Sequence, residues 1–203
     1  MDGGWWRQVV AGVRLLLVAT VVLGIGYPLA VWGVTRLPGL HAHAEGSRIV
    51  VDGRVAGSEL IGIDPVPADP ARDPYFHTRP SASAETALGP GDPATSGGSN
   101  QSGSSPELLA LVVERRALIA AREGVLPGLV PPDAVTASAS GVDPHISPAY
   151  AELQVPRVAR VTGLGEEQVR ALVTEHTGGG VLGQRAVNAT LLNLAVERAR
   201  GGS

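Results

Sequence analysis

Three polar residues with catalytic potential alternate in the segment GVDPHISP, namely Asp143, His145 and Ser147. An acid, a base and a hydroxyl nucleophile are the parts of a hydrolase triad. Such triads gather from distant positions, however, and the sequence lacks the G-x-S-x-G turn that exposes a nucleophilic serine. We therefore predict no catalytic residue. We interpret Asp143 as part of a turn with Pro144, His145 as locally hydrogen-bonded and Ser147 as a helix cap.

Metal ligands are also available in principle, because the chain has five histidines and several carboxylates. His77, His145 and His176 with Asp143 would be the candidate set, but no two histidines have i, i+4 or zinc-finger spacing. The chain has no cysteine, which excludes thiolate ligands, thiolate catalysis and disulfides. We expect no bound metal and a structural role for each histidine.

The segment TSGGSNQSGSSP, residues 95–106, could cradle a phosphate, since successive glycine and serine N–H groups ahead of a helix can bind an anion. A Walker A loop requires a lysine, and all 16 basic residues are arginines. Composition alone therefore favours a linker. The formal charge of −3 and the dispersed arginines also exclude nucleic acid as a predicted partner.

An apolar segment near the N-terminus predicts that the protein is attached to a membrane. Within residues 9–35, the 21 residues that follow Arg14 carry no charge. A helix of about 20 residues is long enough to cross the hydrocarbon layer. A cleaved signal peptide is the alternative, but its apolar core would be shorter. Arg7 and Arg14 against Arg36 favour a cytoplasmic N-terminus. We predict a single-pass plasma-membrane protein with cytoplasmic residues 1–8, a transmembrane anchor helix 9–35 and an extracytoplasmic domain 36–203.

Within this anchor, small residues at positions 26, 30 and 33 share one helix face. They would allow another membrane helix to approach closely, or they simply reflect the frequency of small residues in membrane helices. We predict a kink at Pro28. The candidate partner contacts in the anchor are Gly26, Ala30 and Gly33.

The exterior part begins with two short apolar runs around Asp52-Gly53, which predict a β-hairpin within residues 47–64. Residues 65–105 form a long loop without periodicity. This loop contains Tyr75, Phe76 and Arg79. In a chain with 3% aromatic residues, such a pair either anchors a partner or pins the loop to its own core.

Helices should follow the loop. Ser105-Pro106 begins an amphipathic helix that Gly124 ends, with Leu118 on its apolar side and Glu114, Arg115, Arg116 and Arg122 exposed. Ser147-Pro148 begins a second helix to about Thr162, and EEQVRALVTEH forms a third that stops at Gly178 to Gly180. The tail from Ala186 is strand then helix, or helix throughout. We predict one mixed α/β domain after the anchor.

Several of these segments together resemble the C-subunit family of the Kdp potassium-transporting ATPase. The resemblance rests on the anchor and on the order and spacing of GSELIG at 57–62, YFHTRPSAS at 75–83, SGGSN at 96–100, VTASASGVDPHISP at 135–148, QVPRVARVTGL at 154–164, LVTEHT at 172–177 and VNATLLNLA at 187–195. It implies a non-catalytic accessory subunit that supports assembly of an ATP-driven potassium uptake complex. The implied partners are a channel-like subunit, a P-type ATPase subunit, a small membrane subunit and lipid.

The resemblance also implies an alternative, a catalytic chaperone that raises the ATP affinity of the ATPase subunit. The SGGSN region has been likened to the ABC signature LSGGQ, and this comparison falls on Ser96, Gly97, Gly98, Ser99, Asn100 and Gln101. With a cytoplasmic N-terminus these residues lie across the bilayer from cellular ATP. We therefore favour a cap on the channel-like subunit over direct nucleotide contact. Its expected partner contacts are Tyr75, Phe76, Arg79, Asp143 and His145.

Overall fold

The computed structural model describes residues 3–51, 53–179 and 183–201. The chain divides into two compact units, with the boundary between Arg48 and Ile49. The first unit is almost entirely helical, and the second holds the remaining helices and strands. Each unit is described below in turn.

The N-terminal unit consists of one long apolar helix and a short helical turn. Helix α1 (Gly3–Val21) continues through a π-helical turn (Val22–Gly26) into α2 (Tyr27–Thr35), and α3 (His41–Ala44) follows. The most apolar 18-residue window of Gly4–Thr35 has a mean hydropathy of 2.3, and none of that window is buried. An N-terminal helix long and apolar enough to cross a membrane is therefore present, as the sequence predicts.

Pro28 explains the π-helical turn. Proline has no N–H to donate and its ring collides with the carbonyl four residues earlier, here that of Gly24. The backbone relieves this collision by widening one turn. The Tyr27 N–H donates to the carbonyl of Val22, five residues back, instead of to the usual carbonyl four residues back. The irregularity predicted at Pro28 thus takes the form of a π turn just before it.

The second unit opens with a two-stranded sheet of β1 (Arg48–Val51) and β2 (Arg54–Ser58). This pairing confirms the predicted hairpin. Gly53 adopts a left-handed φ of +76°, which suits glycine in a tight turn. Asp52, the other predicted turn residue, lies outside the described residues. Apart from a 3-10 turn (Pro70–Arg72), the chain is irregular from β2 to Ser105, in agreement with the predicted long loop.

Local capping signals set the helix boundaries. In α4 (Pro106–Glu123) the Ser105 Oγ accepts from the Leu108 N–H, and Gly124 ends the helix at a φ of +71°. After a 3-10 turn (Pro127–Leu129) and the short α5 (Pro132–Val135), Ser147 caps α6 (Pro148–Thr162) in the same way. Then come α7 (Glu166–Glu175) and α8 (Ala189–Gly201). The predicted helices are confirmed. Helix α7 ends ahead of the predicted glycine stop, whose last residue, Gly180, lies outside the described residues.

A small antiparallel sheet packs against these helices. Its strands β3 (His145–Ile146), β4 (Thr177–Gly178) and β5 (Ala186–Asn188) have the order β3-β5-β4. The tail is therefore a strand followed by a helix, which resolves the open alternative. Ile146 pairs with Val187, and both are fully or almost fully buried. One face of the sheet thus belongs to the core.

The core is built mainly from aliphatic side chains of α4 to α8, β3 and β5, together with Tyr150 of α6 and Phe76 of the long loop. Three predictions for α4 are wrong. Arg122 was expected in solvent, but its side chain is only 18% exposed because it donates to Glu123 and Tyr150. Arg115 was expected in solvent but is buried, because its guanidinium donates to the carbonyls of Ala87 and Val135. Leu118 was expected in the core but is 46% exposed, because the buried side of the helix follows Arg115, Ile119 and Ala120 instead.

Candidate functional site

Three irregular segments next to several of the predicted contact residues lie side by side in the second unit. The Gly97 N–H donates to the Ser140 carbonyl at 2.8 Å, and the Ser138 N–H donates to the Pro80 carbonyl at 2.9 Å. We call residues 80–83, 96–98 and 138–141 the serine–glycine junction. Loops this far apart in the sequence are held together here by backbone hydrogen bonds, so the junction positions the residues around it.

Glycine makes the close approach within the junction possible. Gly141 has a φ of +75°, and a Cβ there would stand 3.0 Å from both the Gly97 carbonyl oxygen and the Ser81 Oγ. A Cβ on Gly98 would stand 3.2 Å from the Ala139 carbonyl oxygen. Larger residues would separate the segments. The small residues of SGGSN are therefore packing residues as well as loop residues.

The nucleotide-contact prediction falls on the outer side of this junction. Gly98 is half-buried, and the exposed members of the set are Ser96, Gly97, Ser99, Asn100 and Gln101. Because the Gly97 N–H already donates to Ser140, it is not free to bind an anion. Asn100 has a left-handed φ of +52°, which asparagine tolerates better than most residues. What this segment presents to solvent is therefore mainly the polar side chains of residues 99–101.

Next to the junction, Arg79, Asp143 and His145 form one polar cluster. The Arg79 Nη2 donates to Asp143 Oδ2 at 2.6 Å, and the His145 Nδ1 lies 2.9 Å from Asp143 Oδ1. Burial acts to raise the pKa of Asp143, but hydrogen bonds from His145 and Arg79 outweigh it and hold that pKa below its usual value. The structure thus brings together three of the predicted contact residues on a partly exposed surface.

The same geometry separates Ser147 from the pair it would need for hydrolysis. Its Oγ donates to Asp133 Oδ1 at 2.8 Å and accepts from the Tyr150 N–H at the start of α6. Asp143 and His145 are hydrogen-bonded to each other. Ser147, the would-be nucleophile, is bonded to Asp133 instead of to His145, the would-be base. The three residues do not form a triad, and Ser147 is a helix cap as predicted.

The aromatic pair of the loop divides between core and surface. Phe76 is fully buried, and its backbone N–H and carbonyl pair with the side-chain amide of Asn193 at 2.7 and 2.8 Å. This burial favours the alternative in which the aromatic pair pins the loop to its own core. Tyr75 is half-buried and lines a groove of about 210 Å³ with Ile63 and Leu194.

Sequence reasoning missed a buried ionic network behind the loop. Both ring nitrogens of His77 face carboxylates, with Nδ1 at 3.0 Å from Asp64 and Nε2 at 2.6 Å from Asp73. Carboxylates only accept, so both contacts are hydrogen bonds only when both ring nitrogens carry a proton. Burial acts to raise the pKa of Asp73, but His77 and Arg157 outweigh it and lower that pKa.

Arg157 joins this network to the helices. It is 3% exposed and contacts Asp73 at 3.2 Å and Glu123 at 2.9 Å. It also donates to the backbone carbonyls of Asp73 and Tyr75. The loop is therefore linked to α4 and α6 by buried salt bridges. No local pattern signals this, since the paired residues are distant in the sequence.

The network extends through Glu123 and Arg122 to a buried tyrosine. Arg122 Nη2 donates to the Tyr150 Oη at 3.0 Å, and its Nε donates to Glu123. Burial raises the pKa of Tyr150 to about 12, although Arg122 acts in the opposite direction. Tyr150 therefore stays neutral at physiological pH, and the charges around it stay paired.

The residues considered above as possible metal ligands do not gather into one site, because His77 lies apart from Asp143 and His145. Within residues 3–51, 53–179 and 183–201, no group of three or more His, Cys, Asp or Glu side chains is placed to hold a metal ion. His77 is occupied by two carboxylates, whereas His145 and His176 lie elsewhere, at the second sheet.

The small residues of the anchor, Gly26, Ala30 and Gly33, are exposed along the apolar helix.

Comparison with known proteins gives a consistent match along the chain. The family described as "KdpC: K+-transporting ATPase, c chain" matches residues 9–198. A Kineococcus radiotolerans protein named as a potassium-transporting ATPase KdpC subunit is 48% identical, covering 95% of this chain and 94% of its own. Proteins of the same name from Xanthomonas campestris and Mycobacterium bovis are 43% and 44% identical, each covering 95% of this chain and, respectively, 88% and 98% of their own lengths.

Proposed function

Because the chain belongs to the KdpC family, the c chain of the K+-transporting ATPase, we propose that it is a non-catalytic subunit that supports assembly and stability of an ATP-driven potassium uptake complex. The observation that carries this proposal is the apolar helix Gly4–Thr35, of which no part of the most apolar window is buried by the chain itself. Lipid and the membrane helices of partner subunits are the surfaces that such a helix buries against.

The second unit supplies the other half of the proposed contact. The cluster of Arg79, Asp143 and His145 is partly exposed, carries both signs of charge and is held in place by the serine–glycine junction. Preorganised polar groups of this kind give an interface specificity and orientation. With a cytoplasmic N-terminus, this unit lies outside the cytoplasm as a cap on the channel-like potassium-binding subunit, and the anchor contacts the complex through Gly26, Ala30 and Gly33.

Co-purification tests both contacts. The complete chain is expressed with the ATPase, channel-like and small subunits and is purified in mild detergent through a tag on the ATPase subunit. Replacing residues 1–36 by an unrelated single-span anchor should reduce the recovered complex. Arg79→Ala should weaken it further, whereas Arg170→Ala, at a partly exposed arginine on α7, should not. Full recovery after both changes would contradict the proposal.

A second candidate function is a nucleotide contact at Ser96–Gln101 that raises the ATP affinity of the ATPase subunit. Exposure of the Ser99, Asn100 and Gln101 side chains favours it, because amide and hydroxyl groups can bind the polar edges of a nucleotide. Asn100→Ala combined with Gln101→Ala should then raise the KM for ATP of the assembled complex without lowering its yield. An unchanged KM would remove this candidate while leaving the assembly function in place.

A further inference from the structure

One face of α1 carries two arginines and a tryptophan near the start of the apolar helix. Arg7 and Arg14 are two helical turns apart, so they lie on the same side of the helix and about 10 Å apart along its axis. Ala11, one turn from each of them, lies between the two arginines on this face. Together with Trp6 and Val10, these three residues line a groove of about 350 Å³. The groove therefore combines two positive charges with an aromatic ring and small apolar side chains.

The charge of Arg14 has no opposite charge within reach on its own helix. No acidic residue lies between Asp2 and Glu45 in the sequence. Asp2 precedes α1, whose first residue lies about 16 Å from Arg14 along the helix axis, and Glu45 follows the far end of the span. By contrast, Arg36 at that far end contacts Glu45 at 3.2 Å and stacks over the Trp32 ring at 4.9 Å. A charge within the apolar layer is costly unless it is paired, so Arg14 requires an anion from another molecule.

Two tryptophans place this groove at the level of the lipid headgroups. Trp5 and Trp6 are both exposed and pack edge to face, with ring centroids 5.2 Å apart. Exposed tryptophans at the end of a membrane helix lie at the headgroup level. Arg14 lies about 12 Å deeper than Trp6 along the helix axis, and helical side chains tilt toward the N-terminus. Its guanidinium can therefore extend back toward the headgroups, on the side where Arg7 lies.

We propose that this groove binds an anionic phospholipid, with the lipid phosphate held between Arg7 and Arg14. Guanidinium groups form paired, charge-assisted hydrogen bonds with phosphate oxygens. A headgroup with a net negative charge is favoured over phosphatidylcholine, because the choline cation would be repelled by the arginines. The site requires only that the apolar helix lies in a bilayer. It is therefore independent of the proposed assembly function and of the orientation of the anchor.

The test measures lipid retention by native mass spectrometry of the full-length protein in a neutral detergent. Phosphatidylglycerol and phosphatidylcholine with the same acyl chains are the probes, and phosphatidylglycerol should be retained preferentially. Arg7→Gln and Arg14→Gln should each weaken its retention about fivefold, which is the contribution expected of one arginine to the attraction of an anionic lipid. The matched control is Arg36→Gln, which should leave retention nearly unchanged because this arginine is already paired with Glu45.

A further variant, Ala11→Phe, separates binding in the groove from general charge attraction. It keeps both arginines but fills the space between them, so it should weaken phosphatidylglycerol retention about as much as the loss of one arginine. Circular dichroism must show the wild-type helix content for each variant to count. A variant that fails this is replaced by methionine at the arginine position or by Ala11→Leu.

The proposal is overturned if the two lipids are retained equally or if retention of phosphatidylglycerol survives both arginine variants. It is equally overturned if Ala11→Phe has no effect or if Arg36→Gln has the same effect as Arg14→Gln, since binding would then follow total charge. Equal retention of the two lipids, combined with a lower yield of the assembled complex for Arg14→Gln, would assign the anion to a carboxylate of a partner subunit instead.

Discussion

At the scale of single residues, Arg157 joins several separate parts of the second unit. Its guanidinium, 3% exposed, contacts two carboxylates and donates to two backbone carbonyls from separate parts of the chain. Removing one member of such a network leaves the partner charges buried and unpaired, which is costlier than losing a surface ion pair. The stability of the second unit should therefore depend on this side chain.

We expect Arg157→Met to lower the free energy of unfolding by about 3–5 kcal/mol, because Asp73 loses a buried partner charge. The matched control is Arg170→Met. Arg170 also contacts three glutamates, but in solvent, so its replacement should have a much smaller effect. Urea unfolding of the full-length protein in detergent, followed by circular dichroism, measures both. Equal effects would show that burial of the network does not determine its contribution.

Acid should weaken the same network. The pKa of Asp73 lies below its ordinary value of 3.8, so this carboxylate stabilises the folded state above that pH. The stabilisation is lost as pH falls below about 4 and through the folded-state pKa, where the folded protein takes up the proton. In unfolding experiments from pH 6 to pH 2, the free energy of unfolding of Asp73→Asn should decline less steeply below pH 4 than that of the wild type. A decline as steep as in the wild type would exclude Asp73 as a source.

Local chemistry explains which residues were predictable. Ser105, Ser147 and Gly124 act on neighbours within one helical turn, so their capping roles could be predicted from the sequence. Arg115, His77 and Arg157 could not be placed, because their partners lie from 4 to 84 positions away and only the folded chain brings most of them together. Hydrophobic periodicity predicts that an arginine is exposed to solvent. Arg115 is buried instead, because carbonyl acceptors from distant loops satisfy its guanidinium.

At the scale of elements, Gly62 fixes how the segment after the hairpin meets the turn before β3. Its N–H donates to the Val142 carbonyl at 2.8 Å. A Cβ at this position would stand 2.5 Å from the Cα of Pro144 and 2.9 Å from the Asp143 carbonyl oxygen. Both obstacles are backbone atoms, which cannot turn aside as a side chain does. The Asp143 cluster therefore depends on a glycine in a different segment.

Gly62→Ala should destabilise the protein by about 1–3 kcal/mol, because the added methyl group must push the 143–144 backbone away. Gly57→Ala, in the same GSELIG segment, is the matched control. A Cβ there would meet only the Thr190 Cγ2 at 3.6 Å, an ordinary contact. Thermal melting measures the pair, and the proton signals of His145 report whether its bond to Asp143 is retained. Equal melting temperatures would mean that the turn yields without cost.

Elements were predictable where the sequence marks both ends. Helices α4 and α6 follow from serine caps and apolar spacing, and α7 from its apolar spacing, whereas β3 and β4 are two residues each and carry no periodicity of their own. The strand of the tail became recognisable only through its pairing with these two segments. The serine–glycine junction likewise arises from contacts between loops, so that SGGSN read alone resembles a linker.

At the scale of the whole molecule, the anchor and the domain lead to different experiments. A reporter that is active only outside the cytoplasm should be active when it is fused after Ser203, and a reporter that is active only in the cytoplasm should be silent there. The reason is that Arg7 and Arg14 lie at the N-terminal end of the span, whereas only Arg36 follows its C-terminal end closely. Moving two arginines from the N-terminal to the C-terminal flank should weaken or reverse this orientation. A cytoplasmic signal from the wild type would instead favour the nucleotide contact.

The π turn at Val22–Gly26 divides the membrane span into two helical segments with different angular registers. One additional residue in a turn rotates everything after it by about 100° relative to an uninterrupted α-helix. The side of α1 that faces a given neighbour is therefore continued in α2 by different sequence positions than in an uninterrupted α-helix. A single helix can in this way present independently chosen surfaces to the two leaflets of the bilayer.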